Sequence, residues 1–213
     1  MEIQIQEYTK VLKKRTVLDH VSLTLTGNRI YGLKGKNGCG KTMLMRAMIG
    51  LIHPTSGRVL LNGKDLKTHG YDSVGMLIEN PAFLSDFTGY ENLKLLSDLK
   101  MKLDHESICE VLRCVGLDPE DPRRYGTYSL GMKQKLGVAA AIMGSPQMII
   151  LDEPINALDE ESVARVRNML LKLKAEDRII VVACHDREEL ECLSDHIFQI
   201  AEGRIVGEYD VEK

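Results

Sequence analysis

Nowhere in the chain is there a run of about 18 apolar residues, so no segment is expected to span a membrane. The opening Met1-Glu2-Ile3-Gln4 does not read as a secretory leader either. Cysteine is sparse: Cys39, Cys109, Cys114, Cys184 and Cys192 are odd in number and nowhere spaced C-x-x-C. That pattern argues against a disulfide framework or a cysteine metal site and points to reduced, cytosolic thiols. A dominant charge sign is also missing, since 28 Lys and Arg face 31 Asp and Glu for a formal charge of −3. Such a balance leaves no general footprint for nucleic acid, and none is expected as a partner. Internal repeats, low-complexity tracts and heptad runs are absent as well.

What is present is ordinary for a globular protein, with 44% hydrophobic and 28% charged residues over 213 positions. That length fits one large domain, or a core with a smaller subdomain.

The chain is organised around Gly35-Lys36-Asn37-Gly38-Cys39-Gly40-Lys41-Thr42, which follows the apolar Ile30-Tyr31-Gly32-Leu33 and opens into a helical stretch from Met43. Strand, G-x-x-x-x-G-K-[ST], helix is the order of a phosphate-binding P-loop. Its glycines let successive N–H groups face one concavity, and the helix N-terminus adds its positive dipole end there. Lys41 is expected at the β- and γ-phosphates and the Thr42 hydroxyl on Mg²⁺. A Gly-rich turn that merely caps a helix is the plainer reading. At ordinary glycine frequency the four fixed positions would arise in only about one chain in a hundred of this length.

Around this loop the early chain alternates. Ile3-Gln4-Ile5-Gln6 and Val21-Ser22-Leu23-Thr24-Leu25 read as half-buried strands, and Gly57 to Gly63 as a strand ending in an Asn-Gly turn. They suggest an antiparallel β subdomain. Val74-Gly75-Met76-Leu77-Ile78 is a further strand, which delivers Glu79-Asn80-Pro81. The middle third is helical in period, with Ser129 a natural N-cap for a helix from Leu130 to Ile142. It suggests an inserted helical subdomain over about residues 84–140. Met148-Ile149-Ile150-Leu151 and Arg178-Ile179-Ile180-Val181-Val182-Ala183 then read as buried parallel strands, with a helix capped by Asp159 between them. A hairpin around Glu202-Gly203 closes the chain.

Leu151-Asp152-Glu153 puts two acids at the carboxyl edge of a parallel sheet, where α/β ligands bind. Asp152 suits the metal shell, and Glu153 the attacking water. His185, just past the next strand, would sense the γ-phosphate and position that water or Glu153; the plainer reading is a loop histidine satisfied by backbone. Ser129 and Gly131 at a helix start form a second anion site, which suggests nucleotides held between two chains.

Taken in order, these motifs resemble the nucleotide-binding subunits of ABC transporters. Gly35 to Thr42 looks like Walker A, and Ile149 to Glu153 like Walker B. Tyr128-Ser129-Leu130-Gly131-Met132 resembles the signature motif, Asn156-Ala157-Leu158-Asp159 the D-loop, and His185 the switch histidine. The resemblance implies an α/β fold: a P-loop NTPase core with a mostly parallel sheet, an antiparallel β subdomain and an inserted helical subdomain, all within one domain spanning 1–213. It implies ATP and Mg²⁺ as cofactors. Asn37, Gly38, Cys39, Gly40, Lys41, Thr42 and Met43 would hold the phosphates, with Ser129 and Gly131 contributed by a second chain. Thr42, Glu79 and Asp152 would face the metal, and Glu153 and His185 would be catalytic. The implied partners are an integral membrane permease subunit and a second nucleotide-binding domain, a copy of this chain, in a head-to-tail dimer. The implied location is the cytoplasmic inner face of the cell membrane, as a peripheral protein.

The chain departs from the family pattern in three respects. Leu130 and Met132 replace a glycine and a glutamine of the signature. Glu79 stands where a glutamine is usual. The aromatic residue expected under adenine falls near Leu12, with Tyr8 the nearest ring. Met76-Leu77-Ile78-Glu79-Asn80-Pro81-Ala82-Phe83 together with Tyr128-Ser129-Leu130-Gly131-Met132-Lys133-Gln134 is similar to lantibiotic-immunity and bacitracin-type exporters, which implies export of an antimicrobial peptide or related compound. A soluble ABC-type ATPase acting on ribosomes or nucleic acid is the alternative, although such proteins usually carry two cassettes or coiled-coil arms. An ATP-gated assembly module is a third reading, against which Glu153 and His185 argue. The face near Glu79 and Phe83 to Phe87 would dock the membrane partner; the plainer reading is that Phe83 and Phe87 pack inside the helical subdomain.

Overall fold

A computed structural model describes residues 1–71, 73–79 and 82–212. Two sheets form its frame. The first is antiparallel, in the order β2-β1-β4-β5, from β1 (Glu2–Leu12), β2 (Arg15–Thr26), β4 (Ser56–Leu61) and β5 (Lys64–Asp65). Lys13 and Lys14 turn β1 into β2 with positive φ, and Asn62-Gly63, both left-handed, turn β4 into β5 as a two-residue hairpin requires.

The second sheet runs β10-β9-β3-β8-β7-β6. It contains β3 (Arg29–Lys34), β6 (Val74–Leu77), β7 (Met148–Asp152), β8 (Ile179–Ala183), β9 (His196–Ala201) and β10 (Arg204–Asp210). All neighbours are parallel except the β9–β10 hairpin. The apolar runs of β7 and β8 follow from their position, because both faces are covered. Ile149, Leu151, Ile180 and Val182 enter the core on one face of the sheet, and Met148, Ile150, Ile179 and Val181 enter the core on the other. The second of these cores is shared with the four-stranded sheet and with α1 (Lys41–Met48), whose Leu44, Met45 and Met48 are fully buried.

Between β6 and β7 the chain forms α3 (Gly89–Lys100), α4 (His105–Cys114) and α5 (Leu130–Ile142), after a short α2 (Leu66–His69) ahead of β6. Thr88 and Glu91 close a capping box on α3, and Ser129 caps α5 by accepting from Met132 N–H, as its sequence position suggests. Phe83 packs edge-on against Tyr125 at 5.2 Å, whereas Phe87 stays exposed, so the two rings divide between the packing and the surface readings. After β7 come α6 (Glu160–Lys174), capped by Asp159, and α7 (Arg187–Leu193), capped by Asp186. Among the described residues no helix is long and apolar enough to cross a membrane.

In this strand order β3 and β7 flank β8, and β6 lies beyond β7. The segments leaving β3, β8, β7 and β6 therefore emerge side by side at one carboxyl edge. Those segments carry Gly35–Thr42, His185, Asp152-Glu153 and Glu79 respectively.

Candidate functional site

The loop between β3 and α1 owes its shape to glycine at two positions. A Cβ on Gly35 would sit 2.3 Å from the Ile200 carbonyl oxygen, and Gly40 has φ 115, a conformation that side-chain-bearing residues avoid. Gly40 is also the N-cap of α1 and offers its amides no side-chain acceptor. Each of the other six α-helices among the described residues has one, supplied by Asp65, Thr88, Asp104, Ser129, Asp159 or Asp186. Four orphan N–H groups begin every helix, and at α1 no capping side chain takes the place an anion would fill. Lys41 is largely buried and donates to the carbonyls of Gly35 at 2.7 Å and Lys36 at 3.3 Å, so its ammonium lies within its own loop. A polyphosphate fits this cradle.

An open cleft of about 1440 Å³ runs from the loop along the sheet edge. Asn37, Gly38, Cys39, Gly40, Lys41, Thr42 and Met43 line it, and so do Glu79, Asp152, Glu153 and His185. The Thr42 hydroxyl donates to Asp152 Oδ2 at 2.8 Å, a contact that joins positions 110 residues apart. These two groups are hard oxygen donors. Among the described residues no cluster of three His, Cys, Asp or Glu side chains forms a complete metal cage. The donor set thus fits a cation such as Mg²⁺ that keeps waters and takes phosphate oxygens for the rest of its shell.

Glu153 departs from β7 with φ 53, and its N–H still donates to the Ala183 carbonyl at 2.8 Å. Its carboxylate accepts the His185 backbone N–H at 3.1 Å, and His185 Nε2 lies 3.5 Å from its other oxygen. Burial raises the Glu153 pKa above the ordinary carboxylate value, opposed by the His185 backbone hydrogen bond and the His185 ring. A carboxylate so placed can accept a proton from water in the cleft. Cys184, beside His185, is buried, and burial raises its pKa strongly, so it is a packed residue. Cys39 is largely buried as well, although it is among the residues that line the cleft.

Ser129 and Gly131 are not among the residues that line this cleft. The Ser129 hydroxyl caps α5, and Leu130 beside it is 63% exposed. Within one chain, then, the start of α5 does not join the cleft lining. The position aligned with the family's base-stacking aromatic, Leu12, is not aromatic, and the nearest ring does not take its place. Tyr8 is fully buried and donates its hydroxyl to the Ile52 carbonyl at 2.8 Å, and burial raises its pKa to about 12. Leu12 does not line the cleft; Arg15, Thr16 and Val17 do. No Phe or Tyr lies along it among the described residues. Asn80 and Pro81 fall outside the described residues.

Two neighbours of the site escape the sequence. Gln134, on α5, donates to the Glu153 carbonyl at 2.7 Å, and the same carbonyl accepts Asn156 N–H at 3.2 Å. Arg46, on α1, donates to Glu79 at 2.6 Å. Gln134 has no local signal, since its partner lies 19 residues away. Arg46 has a weak one: it is four positions from Thr42, on the same helix face.

The fold and cleft together define a P-loop nucleotide hydrolase of α/β architecture with an added antiparallel sheet. Residues 18–156 match the ABC transporter family, and the chain belongs to that family as an ATP-binding, ATP-hydrolysing subunit. It is 40% identical to the bacitracin transport ATP-binding protein BcrA of Enterococcus faecalis, over 99% of this chain and 70% of that one. It is 34% identical to the lantibiotic transport ATP-binding protein SrtF of Streptococcus pyogenes, over 98% of this chain and 91% of that one. Among solved structures, the dimeric bacterial ABC transporter cassette MJ0796 superposes with a TM-score of 0.89, covering 99% of each chain at 22% identity, which establishes a shared fold.

Proposed function

We propose that the chain is the motor of an exporter, hydrolysing Mg²⁺-ATP to drive a separately encoded membrane permease that moves an antimicrobial peptide or related compound. The observation that carries the hydrolytic part is the Thr42–Asp152 bond lying in one cleft with the Glu153–His185 contact. Asn37 to Met43 cradle the phosphates, Lys41 turning from its loop carbonyls to the β- and γ-oxygens. Thr42 and Asp152 hold the metal, with Glu79 on its water shell. Bound Mg²⁺ neutralises charge on the β- and γ-oxygens. Glu153 orients and deprotonates the attacking water, and His185 holds both that water and the Glu153 carboxylate.

Ser129 and Gly131 act on the nucleotide of a second copy in a head-to-tail dimer; their absence from this chain's own cleft lining supports that reading. The chain works as one domain over 1–213, with residues 84–140 as the helical subdomain, peripherally attached at the cytoplasmic face through the permease. The names of the bacitracin and lantibiotic relatives support the cargo class.

The test is affinity capture of tagged E153Q from its native membrane with ATP, followed by mass spectrometry. Recovery of one multi-spanning protein is the expected result. Recovery of ribosomes or nucleic-acid machinery, with no membrane protein, would replace this reading with that of a soluble ATPase.

A further inference from the structure

Glu79 is an uncomfortable residue for a polyphosphate cleft. Asp152 and Glu153 already line the same space, and a third carboxylate adds repulsion toward a highly charged anion. Its backbone is unusual too, with φ 62, a left-handed conformation that costs free energy in a residue other than glycine. What this conformation accompanies is specific: the Glu79 carboxylate accepts Arg46 Nη2 at 2.6 Å. Arg46 does not itself line the cleft. It stands one turn along α1 from Thr42, so the helix that presents the metal-binding hydroxyl also presents the counter-charge for Glu79.

The pair is a poor candidate for a stability device. The two side chains are 33% and 65% exposed, a setting in which ion pairs contribute little.

We propose that Arg46 is a positioning residue for Glu79: it neutralises and aims this carboxylate so that a glutamate is tolerated beside the phosphates and kept oriented toward the metal's water shell. The proposal rests on the reading of the cleft as a Mg²⁺-ATP site. It gives the two residues a coupled role, in which Arg46 matters because position 79 is acidic.

The test is a double-mutant cycle built in E153Q, with Mg²⁺-ATP affinity measured by calorimetry and melting temperature recorded for every variant. R46M is expected to weaken Mg²⁺-ATP binding about fivefold when residue 79 is Glu, and less than about twofold when it is Gln. R46K should recover most of the affinity, and melting temperatures should stay together across the set. Equal losses from R46M in both backgrounds, or no loss in either, would overturn the pairing. K41A serves as the reference: if it leaves affinity intact, the nucleotide reading fails, independently of Arg46.

Discussion

At the scale of single residues the cleft is a set of charges that the fold holds under control. Lys41 is kept by two carbonyls of its own loop, so replacing it removes a charge-assisted contact without opening a cavity in the core. K41A is expected to weaken ATP binding by about ten- to a hundredfold, measured by calorimetry. E153Q should retain that binding while turnover falls by about a hundredfold or more, as loss of a general base does; unchanged phosphate release would remove Glu153 from that role.

The raised pKa of Glu153 has a sign that can be followed. Burial favours the neutral acid, so the carboxylate forms at higher pH than in a free chain. The acid limb of kcat/KM, which reports the free enzyme, should therefore lie above the ordinary glutamate value of about 4.3. For stability, the folded state holds a proton that the unfolded state has already released. This group's stabilisation is thus complete below the unfolded pKa and is lost as pH rises through the folded one. A pH–rate profile with its acid limb at or below the ordinary value would contradict the assignment.

At the scale of elements, the most consequential joint is between α5 and the segment after β7. Gly131 leaves no room for a side chain, since a Cβ would approach the Ala157 carbonyl oxygen to 2.8 Å, and Gln134 fixes the Glu153 carbonyl. The helix bearing Ser129 is in this way tied to the backbone that aims Glu153. Q134L is expected to lower kcat by about tenfold with KM changed less than twofold, because it loosens Glu153 without touching the phosphate loop. A pure KM effect in steady-state kinetics would point elsewhere. The central strands set stability. Ile150 is fully buried on β7, and I150A should cost about 2–5 kcal/mol in a denaturant titration.

For the molecule as a whole, Ser129 and Gly131 lie outside the lining of the cleft that the loop of Gly35–Thr42 opens into. If a second copy supplies Ser129 and Gly131, ATP should convert E153Q from monomer to dimer. S129R should block that conversion while leaving the monomer's ATP affinity within about twofold. Light scattering with and without Mg²⁺-ATP reads both outcomes, and an E153Q chain that stays monomeric at saturating nucleotide would remove the head-to-tail dimer.

Much of the site was legible in the residues because its parts obey local rules. Gly40, Lys41 and Thr42 sit where a strand gives way to a helix, and that junction makes its own anion pocket. Asp152 and Glu153 end a run of apolar residues that must be a doubly covered strand, and Ser129 and Asp159 are side-chain caps readable from their neighbours. What only tertiary structure decided are the contacts between segments far apart in sequence. The order β3-β8-β7-β6 brought Thr42 to Asp152 and His185 to Glu153. Burial sent Tyr8 into the core and left Arg15 to Val17 on the cleft wall, because strand pairing and register, not sequence distance, decide which side of a sheet a residue faces. Local sequence determined the chemical parts; the sheet's strand order, which depends on packing both faces of β7 and β8, determined which of them could act together.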